Sequence, residues 1–538
     1  MVFTALCGQY AFAQGDKDSV VLLDSDALDE FYTVRDGAPF WIKKGRLNSQ
    51  GNELLKILER SWVEGLNPAA YHVQSIQSLL EKTKSRKKNQ DNEAEDRILL
   101  NLELLLSDAY VHYVRDMSGM RIKPEELGLD ASDWRTPVTP SQALGFLKDG
   151  ANITSLLSGL EPKGQTYQTM KSELLSLLKA EAASPETFKP IHIEGIIRPG
   201  RGNGAIPKIR EKLGLPEVEQ VRSYTYDDAL VSAVIAFQAK NGLSADSVIG
   251  PQTIEALNKG RKDKILQIIV NMERLRWLSD DKPDRFVVVN LPSATLWAIE
   301  DGKVKVEMPV VVGRAERPTP PFRTLISGVR FNPQWTVPPT ILEEDILPKL
   351  REDPNYLADK GMEIYDGYKP DSQTLDPASI DWNNVSLNQA KALRFVQMAG
   401  DNNPLGRIRI LMPNRYDVYL HDTNHPELFS ALERTQSSGC VRMRYPEKMA
   451  DFVMARETDW SNEKMHQILK SGKTKDIAIR EKIPVFLLYY TAWVGGDGKI
   501  LYGEDIYDRD KKLLQALKTI DGIPKLDYTE RYLAELSR

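Results

Sequence analysis

Two stretches of this chain carry residue types able to do covalent chemistry. One is Val418-Tyr419-Leu420-His421-Asp422-Thr423; the other is Ser437-Ser438-Gly439-Cys440-Val441-Arg442-Met443. Together they supply a thiol, an imidazole, a glycine beside the thiol and a guanidinium. Cysteine attacks as its thiolate, and a paired histidine can take the proton. Gly439 permits a tight main-chain turn, so that amide N–H groups can point at a developing oxyanion. Arg442 can grip a carboxylate through its fork of donors, or hold the loop in place. A blander reading stands beside this one. A lone cysteine often serves as an inert small core residue, and a histidine at a strand end is often structural. His425, in Asn424-His425-Pro426, sits in a turn-forming setting that suits an exposed loop.

The elements that must position these residues follow from periodicity. Residues 24–190 read as a helical domain: Leu54, Leu55, Leu58 and Trp62 fall at helical spacing, as do Leu102, Leu105, Ala109 and Tyr113. Lys82 to Glu95, a charge run, and Ala182 to Pro190 read as connectors. Residues 200–260 form a compact unit of three short helices, with turns at Gly214, Gly242 and Gly250 and Pro251 opening the last helix. A connecting helix spans 261–284.

Beyond it the pattern changes to strands at Phe286–Asn290, Ala294–Glu300, Val304–Val312 and Ile326–Phe331, with Asp301-Gly302 as a hairpin turn. Residues 338–395, rich in proline and charge, interrupt the sheet pattern as a lid-like insertion. Strands resume at Arg407–Met412 and Tyr416–His421, and a helix over Pro446–Ala455 follows Cys440. Pro484–Tyr490 reads as a strand and Thr491–Tyr502 as a hairpin turning at Asp497-Gly498. The β-rich domain is thus placed at 285–510, with a helical tail at 511–538 and an N-terminal signal remnant or unstructured segment at 1–23.

The bulk numbers exclude some classes. Of 538 residues, 71 are Lys or Arg and 76 Asp or Glu, a net charge of -5, which gives no global field for nucleic acid or anionic lipid. No stretch reaches the ~18 apolar residues of a spanning helix. Ala11-Phe12-Ala13 has the small-x-small form of a signal-peptidase site and points to export; Leu6 before Cys7 makes a lipoprotein site the weaker reading. Removal of such a signal leaves Cys440 as a single thiol, which in an exported protein is a liability unless it is used. The six histidines are dispersed and offer no zinc-ligand pattern.

The order and spacing of the two motifs resemble the L,D-transpeptidases with a YkuD-type catalytic domain. The family's His-(Gly/Asp)-Thr box is matched by His421-Asp422-Thr423, and its Ser-x-Gly-Cys-(Val/Ile)-Arg motif by Ser437 to Arg442. The large, YcbB-like branch is similar further: in Asn271 to Trp277, Val288 to Pro292, Val312-Gly313 with Arg317-Pro318-Thr319-Pro320, Asn332 to Pro338, and Asn402-Asn403-Pro404-Leu405-Gly406. Phe31-Tyr32, Pro39-Phe40-Trp41 and Gly65 to Pro68 look like that branch's scaffold. Residues 200–260 resemble a peptidoglycan-binding domain through Ala236-Phe237-Gln238, Gly242-Leu243, Ile249-Gly250 and Thr253 to Asn258, with Asp246-Ser247 where an Asp-Gly turn is usual.

The resemblance implies a multidomain α+β chain: a helical scaffold, a three-helix binding domain and a mainly β catalytic domain bearing a lid. It implies Cys440 as nucleophile and His421 as general base and later acid. The oxyanion would be held by amides near Gly439 and Cys440, helped by the Tyr419 hydroxyl; Ser438 stands where many members have histidine. The implied reaction joins donor tetrapeptide and acceptor stem peptides of peptidoglycan into 3→3 crosslinks through a cysteinyl thioester, with no cofactor or metal. L,D-carboxypeptidase action, D-amino-acid exchange, lipoprotein attachment and an inert wall-binding protein are the alternatives. The implied place is the periplasm of a Gram-negative-type cell, in contact with the wall and with wall-synthesis proteins, and not with nucleic acid.

Overall fold

A computed structural model describes residues 22, 25–84, 92–185, 189–216, 218, 224–241, 243–278, 283–353, 355–431 and 433–520. The signal reading with Cys7, the turn at Gly242 and the tail beyond 520 lie outside the described residues. The chain divides into two compact units, Met1–Lys282 with Tyr490–Arg538, and Pro283–Tyr489.

The first unit is helical where the spacing predicts it. Leu54, Leu55 and Leu58 form the buried side of Ser49–Glu59, whose start is capped by the Asn48 side chain. Leu102, Leu105, Ala109 and Tyr113 are buried along Asn92–Ser118. That helix begins inside the expected charged connector. Glu93 and Glu95 fall in its first turn and Arg115 in its last, the charge order that the helix dipole favours. A small hairpin, β1 (Ile42–Lys43) and β2 (Arg46–Leu47), packs against the helix Ser49–Glu59.

The three-helix part comprises Ile206–Lys212, Asp228–Lys240 and Pro251–Asn258 around Ile206, Ile209, Leu230, Val234 and Leu257. Asp227 caps the second helix through the Leu230 N–H and pairs with Arg210 at 2.8 Å. At the Asp246-Ser247 turn, Ser247 takes φ 62°, a conformation glycine adopts more readily. Gln238 Oε1 accepts the Ser247 N–H at 3.0 Å, and the Tyr226 hydroxyl donates to the Ser247 carbonyl at 2.7 Å. These bonds hold a residue that glycine would spare.

The second unit is a barrel. β3 (Arg285–Asn290), β4 (Thr295–Glu300) and β5 (Lys303–Gly313) form a meander. Asp301 and Gly302 both adopt positive φ (51° and 71°), as a two-residue hairpin turn requires. β6 (Phe322–Phe331) leads into the insertion, whose short strands are β7 (Trp335–Thr336), β8 (Met362–Tyr365), β9 (Thr374–Leu375) and β10 (Arg394–Gln397). Then come β11 (Ile408–Leu411), β12 (Leu420–His421), β13 (Thr435–Ser437), β14 (Val441–Met443) and β15 (Lys475–Leu488). The order β5-β14-β12-β11-β6-β15-β3-β4, with β4 returning to β5, closes a ring; β13 runs parallel to the end of β5. The helix Pro446–Met454 buries Met449, Ala450 and Val453 against β5, β6, β11 and β15.

Three expectations change. Tyr416–His421 is strand only at Leu420–His421. Pro413 has no N–H to give a ladder, and the Asn414 side chain bonds Met412 O, Val418 O and the Tyr416 N–H, which folds the chain into a loop. The insertion is more than a lid of loops: its strands pair in the order β7-β10-β8-β9 over a core of Leu342, Leu350, Leu357, Ile364, Trp382 and Phe395. Its neck is clamped by Asn403, whose amide donates to Pro333 O and Met398 O, both at 3.0 Å. Finally, the hairpin β16 (Ala492–Val494) and β17 (Ile500–Tyr502) and the helix Arg509–Ile520 belong to the first unit rather than to the β-rich domain. Gln267 on the helix Arg261–Arg276 bonds Thr491 O and Gly503 O at 2.7 and 2.8 Å, and Asn271 bonds the Thr491 hydroxyl at 2.7 Å. A helix over Asn462–Ser471, capped by Ser461, escaped the sequence reading.

Candidate active site

β12 and β14 lie side by side and parallel, with Leu420 opposite Val441 and His421 opposite Arg442. Directly paired residues project to the same face, and the face alternates along each strand. Leu420 and Val441 therefore share the core-facing side. His421 and Arg442 share the other, and Tyr419 and Cys440, just before the two strands, fall on that same side. The Val441 N–H donates to Tyr419 O at 2.9 Å, which keeps the cysteine segment against the tyrosine segment. The register thus gathers Tyr419, His421, Cys440 and Arg442.

His421 is buried, and its Nδ1 lies 2.5 Å from the Asp422 carbonyl. A carbonyl oxygen only accepts, so Nδ1 carries the proton and Nε2 presents its lone pair. Burial lowers the pKa of His421 to about 3. The Arg442 and Arg409 guanidinium charges act the same way, against the bond to Asp422. Cys440 is half-buried, and its thiol donates weakly to the Asp417 carbonyl at 3.7 Å. Burial pushes the thiol up. A main-chain bond from Tyr419 and the charges of Arg409 and Arg442 pull it down, while Asp417 adds to the rise. At neutral pH both shifts favour the uncharged forms, thiol and neutral imidazole.

The loops around the pair are held by buried bonds. Asp422 accepts the Arg407 and Thr423 N–H groups, each at 2.7 Å. Gly406 explains the end of the Asn-Asn-Pro-Leu-Gly motif: its φ is +60°, and a Cβ there would lie 2.3 Å from the Asp422 carboxyl carbon. Thr319, fully buried, accepts the Gly313 N–H at 2.9 Å and donates to the Gly439 carbonyl at 2.7 Å. One hydroxyl thereby ties the Arg-Pro-Thr-Pro segment to the turn before Cys440, where Gly439 adopts φ 113°.

The other expected residues fall differently. The Gly439 N–H is taken by the Ser437 hydroxyl at 3.1 Å, and that hydroxyl donates in turn to the Cys440 carbonyl at 2.5 Å. Gly439 therefore supplies the turn, and its amide is occupied in this conformation. Ser438 is exposed and accepts from Arg314 at 3.3 Å and Arg317 at 3.2 Å, pointing toward those arginines. Arg317 also pairs with Glu344 and with Asp345 at 2.9 Å, both on the insertion, so one guanidinium touches the insertion and the cysteine loop together. The Tyr419 hydroxyl donates to Asp417 at 3.3 Å. His425 is exposed and pairs with Glu427 at 2.9 Å. Among the described residues no three His, Cys, Asp or Glu side chains group as metal ligands.

Sequence reading gave Arg409 no place in this site and quoted Thr319 and Ser437 only within motifs, without a role. Arg409 lies opposite His421 in the β11–β12 pair, with its guanidinium 3.5 Å from the Tyr419 ring centroid. The alternation Ile408-Arg409-Ile410 marks a polar face on this strand, but only the register says which face it joins.

Comparison with known proteins gives three family models. They match residues 26–174 as a scaffold domain, residues 211–257 as a "Putative peptidoglycan binding domain" and residues 284–468 as an L,D-transpeptidase catalytic domain of YkuD type. A Haemophilus influenzae protein named "Putative L,D-transpeptidase" is 36% identical over 276 residues, covering 50% of this chain and 54% of the relative. The chain thus spans about half the length of the curated relative it matches. Among solved structures, an L,D-transpeptidase from Stackebrandtia nassauensis is 12% identical with TM-score 0.21, covering 56% of this chain and 97% of that one. An L,D-transpeptidase fragment from Xylanimonas cellulosilytica is 15% identical with TM-score 0.19, covering 56% and 100%. Likenesses at those scores carry no weight. No described helix is long and apolar enough to cross a membrane.

Proposed function

We propose, for a chain that carries a YkuD-type L,D-transpeptidase catalytic domain and a peptidoglycan-binding domain, that Cys440 is the nucleophile of acyl transfer between peptidoglycan stem peptides. The observation that carries the reading is the fixed tautomer of His421. Its Nδ1 proton is committed to the Asp422 carbonyl, so Nε2 is free to take the thiol proton on the face it shares with Cys440.

The steps follow from that arrangement. The Cys440 sulfur attacks the carbonyl of the third stem residue, a diamino acid, while its proton passes to Nε2. The oxyanion is held by the Cys440 N–H, since the Gly439 N–H is occupied. The C–N bond to the terminal D-Ala breaks, and His421 returns the proton to the departing amine, leaving a thioester. The side-chain amine of a second stem then attacks, its proton goes to Nε2, and the regenerated thiol leaves a 3→3 crosslink. The insertion acts as a lid that orders the stems and keeps water from the thioester, with the Arg317 pairing to Glu344 and Asp345 as its tie to the cysteine loop. This chemistry belongs on the exported, periplasmic side, where its polymer lies.

Incubation with purified muropeptides tests the reading, with products and enzyme read by mass. The expected result is a crosslinked dimer and an acyl adduct on Cys440; carbapenems form a second adduct there by ring opening. Tripeptide without dimer moves the assignment to L,D-carboxypeptidase. No adduct on Cys440 under either condition ends the cysteine-nucleophile reading.

A further inference from the structure

The barrel register places a row of cations beside the thiol. Arg442 on β14 is opposite His421 on β12, His421 is opposite Arg409 on β11, and Arg409 is opposite Arg330 on β6. Like charges directly across a sheet destabilise it. Arg330 is relieved by Asp476, its cross-strand neighbour on β15, through two bonds of 2.6 Å.

Arg409 and Arg442 have no such relief. Neither makes an ion pair with a carboxylate among the described residues, and the Nε of each is buried with no hydrogen-bond partner. Arg409 rests on the Tyr419 ring instead. The acidic groups nearby are otherwise engaged or remote from an ion pair. Asp417 accepts the Tyr419 hydroxyl, and Glu427, which acts on Arg442 only through space, pairs with His425. Both side chains are half-buried, and withdrawing even part of a guanidinium from water without a counter-charge is unfavourable unless a ligand supplies one. The Asp417–Tyr419 segment that bonds the Cys440 sulfur also carries the ring under Arg409, so such a ligand would sit next to the reacting atom.

We infer that Arg409, with Arg442, forms an anion subsite beside Cys440 that holds the free C-terminal carboxylate of the acyl-donor peptide. The assignment to the donor rests on the acyl-transfer reading; the anion subsite itself does not. In the donor, that carboxylate is borne by the leaving residue, one residue from the attacked carbonyl. Two forked cations there would orient the scissile bond before attack and favour peptides ending in a free acid.

Two measurements on the full chain separate these points. The first compares alkylation of Cys440 by iodoacetate, an anion, and iodoacetamide, its neutral analogue, at one pH so that the thiolate fraction cancels. Arg409→Gln should lower the iodoacetate-to-iodoacetamide rate ratio on the order of tenfold, and Arg409→Lys should keep most of it. An unchanged ratio in Arg409→Gln, with an unchanged melting curve, overturns the subsite. The second compares donor tetrapeptides ending in carboxylate and in carboxamide. The parent should prefer the acid on the order of tenfold in kcat/KM, and Arg409→Gln should lose that preference. A preference retained by Arg409→Gln overturns the donor assignment. If the parent turns over neither peptide yet the alkylation ratio behaves as expected, the acyl-transfer reading falls and the anion subsite stands.

Discussion

Arginines away from bulk water are treated in opposite ways in the two units, fully buried in the first and half-buried in the second. In the first unit Arg276, buried on the helix Arg261–Arg276, bonds Glu273 at 2.7 Å, the Tyr167 hydroxyl at 2.9 Å and Glu64 O at 3.0 Å. Arg121 meets the same Glu273 at 2.8 Å, and the Trp277 indole completes that carboxylate's partners at 3.0 Å. Charge there is answered by charge within the protein. In the barrel, Arg409 and Arg442 stand beside Cys440 with no carboxylate ion pair among the described residues; Arg409 lies over the Tyr419 ring and bonds that side chain, and Arg442 feels Glu427 through space. Closed networks fix a fold, whereas cations left open are kept at a stability cost and suit a ligand.

The sharpest break in that contrast is Cys440→Ala. It should lower transpeptidation by at least about a thousandfold while leaving the melting curve in place, since the side chain is half-buried and its thiol donates only weakly, to the Asp417 carbonyl. Muropeptide turnover close to the parent's would remove Cys440 from the reaction.

Next comes the opposite experiment, Glu273→Gln. It removes the carboxylate charge that the buried Arg121 and Arg276 share and should cost about 3–5 kcal/mol in denaturant unfolding, with the Cys440 alkylation rate unchanged. The pH dependence carries a second signature. Glu273 sits at about 2 in the folded chain against an ordinary 4.5, held down by Arg121 and Arg276 against the cost of burial. A depressed folded pKa gives stability that is present above 4.5 and lost as pH falls toward 2, a slope the Gln variant should lack. Equal acid unfolding of parent and variant would mean the network is not what holds the helix.

Thr319→Val should act on both sides of the comparison, more mildly. It removes the hydroxyl's bonds to the Gly313 N–H and the Gly439 carbonyl, at a cost of about 1–3 kcal/mol. It also loosens the turn before Cys440, so turnover should fall on the order of tenfold. A stability loss with full activity would show that the turn does not depend on that hydroxyl.

The smallest effect expected is on the shape of a pH profile. With His421 near 3 and Cys440 above the usual thiol range, alkylation by iodoacetamide should rise with pH through the thiol's own titration, with no step between pH 5 and 8. A clear step in that window would mean a resting thiolate–imidazolium pair, and His421 would then be charged in the free enzyme.

How much of this was legible beforehand depends on the range of the interaction. Helices with buried faces at 3.6-residue spacing, such as Ser49–Glu59 and Asn92–Ser118, were readable because their stabilising contacts recur along the chain. The Asp301-Gly302 hairpin was readable because its chemistry is local. Tyr416–Tyr419, expected as the start of a strand, is loop, because Pro413 and the Asn414 side chain decide the backbone there. The insertion's own core was missed because its apolar residues, from Leu342 to Phe395, are scattered in sequence and meet only when β7 pairs with β10.

By itself, then, the sequence determined the residue types of the site and their order, with His421 before a glycine-flanked Cys440, and the change from helical to alternating periodicity near residue 285. Those are properties of neighbours along a chain. Only the tertiary structure decided that Arg409 joins the site, that the Gly439 N–H is occupied, that Thr319 ties two loops, and that residues 490–520 leave the barrel for the first unit. All of these except the local Ser437–Gly439 bond are pairings between distant strands or loops. A shift of one residue in register turns a side chain to the opposite face, and no local pattern encodes which register is taken.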